Sequence, residues 1–330
     1  MKVIEHIVKR AKQAKPRIVL PEATDLRVMQ AGVSAQLDGL AEVIFVDDKN
    51  NIVKLAEQNG LDLQGIVIKD IHNENLDKYA QVLYDKRRAK GMTFDEANEL
   101  CLRPLILGAL MVSMDEADGM VAGAVNITAD VVRSAIDIVG VKQGSALVSS
   151  FFLMVFDEHF HPFNGAKIFA DCGLVIDPSS EELANIAFAA AQNAEQFLGE
   201  EPKVALLSFS SNGSAKHESI EKLVEAKTHL QKMSPSLKVD GEIQFDAAIV
   251  PEITAKKVPN SQTEGNANVL IFPNLEAGNI GYKIAERVGQ AKAIGPILQG
   301  LKHPVNDLSR GCSEQDVYNV IAVTAVQTQF

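Results

Sequence analysis

The sequence predicts two α/β domains, each a three-layer α/β/α sandwich around a mostly parallel sheet, on three observations. At 330 residues the chain is longer than a single core usually grows. Up to about residue 145, short β-branched runs alternate with helical stretches, the pattern of a doubly wound sheet with helices on both faces. After a long apolar run and an Asn-Gly pair, the same alternation begins again.

The elements follow in order. Met1 to Lys15 sets Ile and Val among Lys and Glu at helical spacing, an amphipathic surface helix without the apolar core of a signal peptide. Arg17 to Leu20 reads as a strand, Thr24 to Leu40 as a helix, Val43 to Val46 as a strand, and Asn51 to Gln58 as a helix stopped by Gly60. Helices follow at Leu76 to Arg88 and at Thr93 to Cys101, the second opened by a Thr93-x-x-Glu96 capping box. Met120 to Ala122 is a short buried strand ahead of a helix at Thr128 to Ile138.

The apolar run Leu147 to Phe156, the pair Asn164-Gly165 and the run Lys167 to Ala170 predict an antiparallel hairpin with a type I′ turn. A Ser179-x-x-Glu182 box then opens a helix to Leu198, and Val204 to Ser208 and Val269 to Phe272 read as strands. The segment from Pro296 to Phe330 has too little apolar surface for a domain of its own and packs back on the first. Domain I is therefore expected over 1–145 plus 296–330, and domain II over 146–295.

Composition removes several function classes. With 46% hydrophobic and 23% charged residues the chain is an ordinary folded one. A net charge of -11 disfavours nucleic acid and anionic membranes as partners, although a few convergent Arg and Lys can still bind a small anion. Cys101, Cys172 and Cys312 are an odd number without Cys-x-x-Cys spacing, so neither a disulfide framework nor a zinc site is indicated and a reducing cytoplasm is expected. The longest apolar run, Ala146 to Phe156, is shorter than the ~20 residues of a membrane span.

Two stretches carry the strongest chemical signal. Pro304-Val305-Asn306-Asp307-Leu308-Ser309-Arg310-Gly311-Cys312 runs into a helix that starts near Ser313. It places a hydroxyl, a guanidinium and free backbone donors at a helix N-terminus, where phosphate or a developing oxyanion is a natural occupant. The alternative is that Ser313-x-x-Asp316 is only a capping box and Arg310 a surface ion pair. Phe272 to Lys283 reads as a strand, a glycine-containing loop and a helix start, a second potential anion pocket. Lys283 and Arg287 share a helix face, either around an anion or as a solvated face on which Glu286 relieves their repulsion. There are nine arginines against 23 lysines, and several of them, Arg27, Arg87, Arg133, Arg287 and Arg310, fall in or beside candidate site segments, as suits bidentate oxyanion recognition.

Weaker candidates are set against plainer readings. Cys312 beside Arg310 is either an activated nucleophile or a bystander. Ser309 lies outside a Gly-x-Ser-x-Gly elbow, so a hydrolase triad is unsupported. His217 opens a helix and reads as a capping or surface residue. Asp240, Glu242 and Asp246 have the even spacing of one solvent face of a strand, so no metal is assigned.

At Pro304 to Cys312 and Phe272 to Lys283 the chain closely resembles the phosphate acetyltransferases, within the phosphate acetyl/butyryl transferase family. The resemblance continues through Leu20-Pro21-Glu22-x-x-Asp25-x-Arg27, Gly123 to Arg133, Leu207-Ser208-Phe209-Ser210 with Gly213 to His217, and Asp240 to Ala248. It implies a fold like the isocitrate and isopropylmalate dehydrogenases, an active-site cleft between the domains, and a homodimer. It implies reversible acetyl transfer between acetyl phosphate and coenzyme A by direct thiolate attack in a ternary complex. Coenzyme A, acetyl-CoA, acetyl phosphate and inorganic phosphate are then the partners, and no cofactor is expected because coenzyme A is a substrate.

Carried over by resemblance, Asp316 is the base for the thiol, Ser309 a donor to the carbonyl oxygen and Arg310 a phosphate ligand. Arg87 and Arg133 resemble further substrate or coenzyme A ligands, and Lys257, Lys283 and Arg287 resemble coenzyme A contacts. A thiol near pKa ~8.5 is poorly matched to a carboxylate near ~3.9, so either Asp316 is raised by burial or nearby Arg stabilises the thiolate. His303 and Ser211-Asn212 depart from the family pattern, which leaves acetate metabolism and ethanolamine or propanediol breakdown both open. A longer acyl phosphate such as butyryl phosphate, or a non-catalytic sensor of acyl phosphate or coenzyme A, are the alternatives. A dehydrogenase is disfavoured because no Gly-x-Gly-x-x-Gly unit appears.

Overall fold

Ile7 and Ala11, four residues apart and buried, give the helix α1 (Lys2–Ala14) its inward face. The computed structural model describes residues 2–72, 75–157, 159–161 and 163–330, so Met1, where the sequence places the start of this helix, lies outside the described residues. β1 (Arg17–Leu20) is the first sheet strand, and Asp25 caps α2 (Leu26–Leu37) by accepting from the Arg27 backbone N–H. After β2 (Glu42–Asp47), Asp48 caps α3 (Lys49–Asn59), which ends at Gly60 in the left-handed conformation, φ +65°. β3 (Val67–Asp70), α4 (Asp77–Arg87), α5 (Phe94–Cys101) with both bonds of its Thr93 capping box, and α6 (Pro104–Ser113) follow. β4 (Gly119–Ala122) leads to α7 (Thr128–Ser134), which continues as a π-helical turn over Ala135–Val139.

The second half begins with β5 (Ser149–Phe156) and β6 (Gly165–Ala170). α8 (Ser180–Leu198), β7 (Lys203–Leu207), α9 (Glu218–Met233) and β8 (Lys238–Ile243) alternate after them. α10 (Phe245–Ile249), α11 (Pro251–Lys257), β9 (Val269–Ile271), α12 (Leu275–Arg287) and β10 (Lys292–Gln299) complete it. β11 (Val305–Asp307) and α13 (Glu314–Gln327) close the chain.

These elements form two units. One comprises Ile4–Gln143 and Leu301–Phe330, and the other is built on Gly144–Gly300. The first holds an all-parallel sheet of order β11-β4-β1-β2-β3. Leu20 and Val19, adjacent on β1, point to opposite faces. A Cβ on Gly32 of α2 would meet Phe45 at 2.6 Å and Leu20 at 2.9 Å, whereas one on Gly108 of α6 would meet Val19 at 2.9 Å. Close approach at these glycines sets one helix on each face of the sheet.

The second unit holds a mixed sheet of order β10-β5-β6-β9-β7-β8. β5 is antiparallel to both β10 and β6, and β6, β9, β7 and β8 run parallel. Every residue of β5 is buried, which is why it reads as a continuous apolar run. The pairing of Phe156 with Gly165 places the β5–β6 connection at 157–164, so Asn164-Gly165 is not a two-residue type I′ turn. The antiparallel pairing is set by the two apolar runs, and Gly165 enters β6 at φ +128°. Pro296–Gln299 belong to β10 in this sheet, so the return to the first unit starts at Leu301 and not at Pro296. Among the described residues no helix is long and apolar enough to cross a membrane.

Candidate active site

In the first unit β1 is flanked by β2 on one side and β4 on the other, so the strand order reverses direction there. Ligands of parallel sheets bind at such a point, beyond the carboxyl ends of the strands. The carboxyl ends of β1, β4 and β11 deliver three segments to this edge: the turn 21–25, the loop 123–127 and the loop 308–313.

Glu22 organises the first two. It is 4% exposed, and its carboxylate accepts from the backbone N–H groups of Gly123 (3.0 Å), Ala124 (2.8 Å), Val125 (3.2 Å) and Asn126 (2.7 Å) and from Asn126 Nδ2 (2.7 Å). A buried carboxylate so surrounded fixes the loop as a unit. Arg27 fixes the third segment. Its guanidinium is bonded to Asp25 at 2.8 Å and donates to the carbonyls of Ala124 (3.1 Å), Arg310 (2.9 Å) and Cys312 (2.9 Å). Its hydrogen bond with Asp25 holds that carboxyl below the usual carboxylate range and raises Arg27 itself. Arg27 is therefore a clasp, with its planar fork engaged by the backbone of two loops.

The clasp leaves the side chains of the third loop outward. Ser309, Arg310 and Asp316 are all exposed. Ser309 Oγ accepts from the Gly311 N–H at 3.3 Å, and the Arg310 guanidinium has no hydrogen bond or ion pair among the described residues. Asp316 Oδ2 accepts from the backbone N–H and Oγ of Ser313, both at 2.8 Å, and the Asp316 N–H donates to Ser313 Oγ at 3.2 Å. The capping box thus forms and points the carboxylate of Asp316 at the same helix start that follows Ser309 and Arg310. Cys312 is buried, and burial pushes its thiol up, against the lowering effect of Arg27. That favours the bystander reading over the nucleophile.

Arg87 and Arg133 line one cavity of about 160 Å³ together with Asp130, Asp137 and Arg103. Arg87 pairs with Asp137 at 2.6 Å and Arg133 with Asp130 at 2.8 Å. Arg103, which the sequence reading did not select, also lines a neighbouring cavity of about 600 Å³ with Arg87 and Lys90.

The remaining predicted cations are in the second unit. Lys257 Nζ contacts Gln244 Oε1 (2.9 Å) and Asp246 (2.8 Å), Lys283 Nζ contacts Asn279 Oδ1 (2.7 Å), and Arg287 Nε contacts Glu286 (3.3 Å). Lys283 and Arg287 share a face of α12 as their spacing requires, but the glycine loop expected before them is helix. Asn274 caps α12 by accepting from the Ala277 N–H at 3.0 Å. Gly278 and Gly281 lie inside α12, where a Cβ would come within 2.4 Å of the Asp171 carbonyl oxygen and 2.9 Å of Phe272. These glycines serve close packing and not an anion pocket.

Asp240 and Glu242 also differ from expectation, being 3% and 5% exposed. Burial pushes Asp240 up, but bonds from Ser261, Thr263 and the backbone of Gln262 and Thr263 outweigh it and leave the carboxyl below its ordinary value. Glu242 accepts from Ser210 Oγ (3.0 Å) and the Gly213 N–H (2.6 Å). Strand alternation located these acids on one face but could not tell a solvent face from one that binds loops. His217 caps α9, accepting from the Ser219 N–H at 3.2 Å, as its position suggests. A cavity of about 700 Å³ in this unit is walled by Phe156, Phe163, Phe169, Phe209, Phe245 and Phe272 and contains none of the predicted residues.

Asp307 was not singled out from the sequence. It is 1% exposed, its Oδ2 accepts from Thr128 Oγ1 at 2.7 Å, and Oδ1 is the one buried side-chain oxygen without a partner among the described residues. Burial, with a contribution from the charge of Glu22, pushes its carboxyl up to about 7 although the Thr128 bond opposes this.

Comparison with known proteins identifies the family. The family model described as phosphate acetyl/butaryl transferase matches residues 2–325. A phosphate acetyltransferase of Acetivibrio thermocellus is 48% identical over all of this chain and 99% of that protein. One of Thermoanaerobacterium thermosaccharolyticum is 44% identical over the full length of both. The crystal structure of a phosphotransacetylase from Streptococcus pyogenes superimposes with TM-score 0.93 at 39% identity, covering 99% of this chain and 98% of that one. A 4-hydroxythreonine-4-phosphate dehydrogenase from Klebsiella pneumoniae, at 12% identity and TM-score 0.54 over 95% of this chain and 100% of its own, shares the fold alone.

Proposed function

Since the chain belongs to the phosphate acetyl/butaryl transferase family, we propose that it moves acetyl between acetyl phosphate and coenzyme A by direct attack of the thiolate. The observation that carries the reading is local. A hydroxyl and a guanidinium with no internal partner on the loop 308–313, which Arg27 clamps at the switch point of a parallel sheet, are followed by a carboxylate in the first turn of α13.

In this reading Arg310 takes the phosphoryl oxygens of acetyl phosphate in its fork. Its charge has two uses, holding the ground state and stabilising phosphate as it departs. Asp316 accepts the thiol proton of coenzyme A. Asp316 lies six residues beyond Arg310, and in this reading the charge of Arg310 favours the thiolate. As sulfur attacks, negative charge grows on the carbonyl oxygen, and Ser309 Oγ donates to it; one such donor is typically worth ~3 kcal/mol. The carbon–sulfur bond forms, the carbon–oxygen bond to phosphate breaks, and phosphate leaves with the electron pair. Holding the two substrates in line supplies much of the remaining acceleration, and no enzyme-bound acyl group is needed.

Arg87 and Arg133 are the next ligands for substrate phosphates, each exchanging its carboxylate for the incoming anion. Lys257, Lys283 and Arg287 contact coenzyme A. No cofactor takes part, the compartment is the cytoplasm, and the assembly is a homodimer.

The test is to mix the purified protein with coenzyme A and acetyl phosphate, without added metal or nicotinamide, and to follow thioester and phosphate together. Equal, coenzyme A-dependent appearance of both is the expected result. Phosphate without thioester would identify a hydrolase. Absence of both products with acetyl phosphate, but transfer with butyryl phosphate, would move the substrate to a longer acyl chain.

A further inference from the structure

We propose that Asp307 is a positioning residue of the transfer site: its side chain ties the end of β11, which leads into Ser309 and Arg310, to the first residue of α7, the helix that carries Arg133. The inference rests on the reading that those residues handle the two substrates. Its observations are the burial of Asp307, the bond from Thr128 Oγ1 to Oδ2, and the unpartnered Oδ1. Gly123 packs against that oxygen so closely that a Cβ there would sit 2.3 Å from Oδ1 and 2.6 Å from the Leu308 nitrogen. At φ +111° glycine is also the residue this backbone favours.

The chemical state of Asp307 follows from its neighbours. The N–H groups of residues 123–126 already donate to Glu22, and residues 123–128 carry no ionisable side chain. On α7, Asp130 and Arg133 pair with each other. The charged group that bears on Asp307 is Glu22, of the same sign as an ionised Asp307. An anionic Asp307 would be a second buried charge beside Glu22, and burial outweighs what the Thr128 hydroxyl and the Leu308 backbone N–H do to favour it, so the acid stays protonated. As a neutral acid it accepts from Thr128 and repels nothing, so β11, the loop 123–127 and α7 stay in register. On ionisation, repulsion between Asp307 and Glu22 acts on both loops and displaces Ser309 and Arg310 from the geometry that acyl transfer requires.

The experiment compares the wild-type protein with Asp307→Asn in thioester formation between pH 6 and 9. Taking the ratio of kcat/KM for acetyl phosphate cancels the ionisation of the substrates. The expected ratio of wild type to variant lies within about threefold of one at pH 6 and is roughly tenfold lower at pH 8, one unit above a titration near 7. A ratio that stays flat across the range would overturn the proposal. In parallel, the ¹³C resonance of the Asp307 carboxyl in the wild-type protein is followed with pH. A midpoint near 7 is expected, and one in the ordinary carboxylate range near ~4 would overturn the proposal even if the variant fails to fold. Failure of the wild-type protein to form thioester at any pH would remove the acetyl-transfer reading, and the carboxyl titration would still decide the state of Asp307.

Discussion

Both units bury carboxylates in or just beyond their strands, yet they use them differently. In the second unit Asp171 accepts from the Ser150 N–H at 2.9 Å and the Gly173 N–H at 2.7 Å, Asp240 gathers the segment 261–263, and Glu242 holds 210–213. Each is saturated by donors and leaves a finished turn. In the first unit Glu22 is equally saturated, but Asp307 beside it keeps one oxygen unpartnered, and the loop it precedes presents a free guanidinium. Saturated acids build scaffold. An acid left short of donors, next to polar side chains turned outward, marks where the fold gives up internal bonding for chemistry.

The sharpest way to break this contrast is Asp316→Asn. Turnover should fall by about 10²–10⁴ while coenzyme A binding, measured by calorimetry, stays within a few-fold. Unfolding instead would return Asp316 to its capping role alone. Arg310→Ala should raise KM for acetyl phosphate about tenfold or more and slow transfer, and unchanged steady-state kinetics would remove it from the site.

Glu22→Ala and Asp171→Ala compare the scaffold acids directly. Each should lower unfolding free energy by about 3 kcal/mol in urea denaturation, because several buried N–H groups lose their acceptor. Only the first should also impair transfer by the folded fraction. An effect of similar size comes from pH. The folded-state carboxyl of Asp307 is raised, so the favourable contribution of its protonated form is fully present below the ordinary carboxylate range and is lost as pH rises through about 7. Relative to Asp307→Asn, the wild-type protein should lose on the order of 2–4 kcal/mol of stability between pH 4 and 8. Smallest of all, Cys312→Ala should keep transfer within about threefold, and complete inactivation of a folded variant would restore a covalent route.

The order of strands and helices was legible because local chemistry set it. Thr93, Ser179 and Ser313 each announce a capping box within four residues, and Gly60 ends its helix by backbone conformation alone. β3 was not singled out because, at the sheet edge with Val67 59% exposed, it lacks a buried alternation. α6 was passed over because its buried residues fall on nearly all sides, which erases the helical period. The glycines of α12 resembled a loop because sequence shows a missing side chain but not the Asp171 carbonyl and Phe272 ring that demand it.

The site divides in the same way. Ser309, Arg310 and Asp316 fall within eight consecutive residues, so a helix start and the resemblance together expose them. Glu22 and Asp307 act through partners more than a hundred positions away, and nothing nearby in the sequence reports those contacts.

The interrupted first unit also has a consequence for synthesis. Residues 144–300 form a continuous stretch, and their sheet can close as soon as it has left the ribosome. The other sheet must wait for β11, its outer strand, and for α13, which packs on α2. Until then β4 is an open edge and Arg27 lacks its two carbonyl acceptors on the loop 308–313. The segment carrying Ser309 and Arg310 is thus made after every strand of its own sheet, and it takes its place only when β11 pairs with β4.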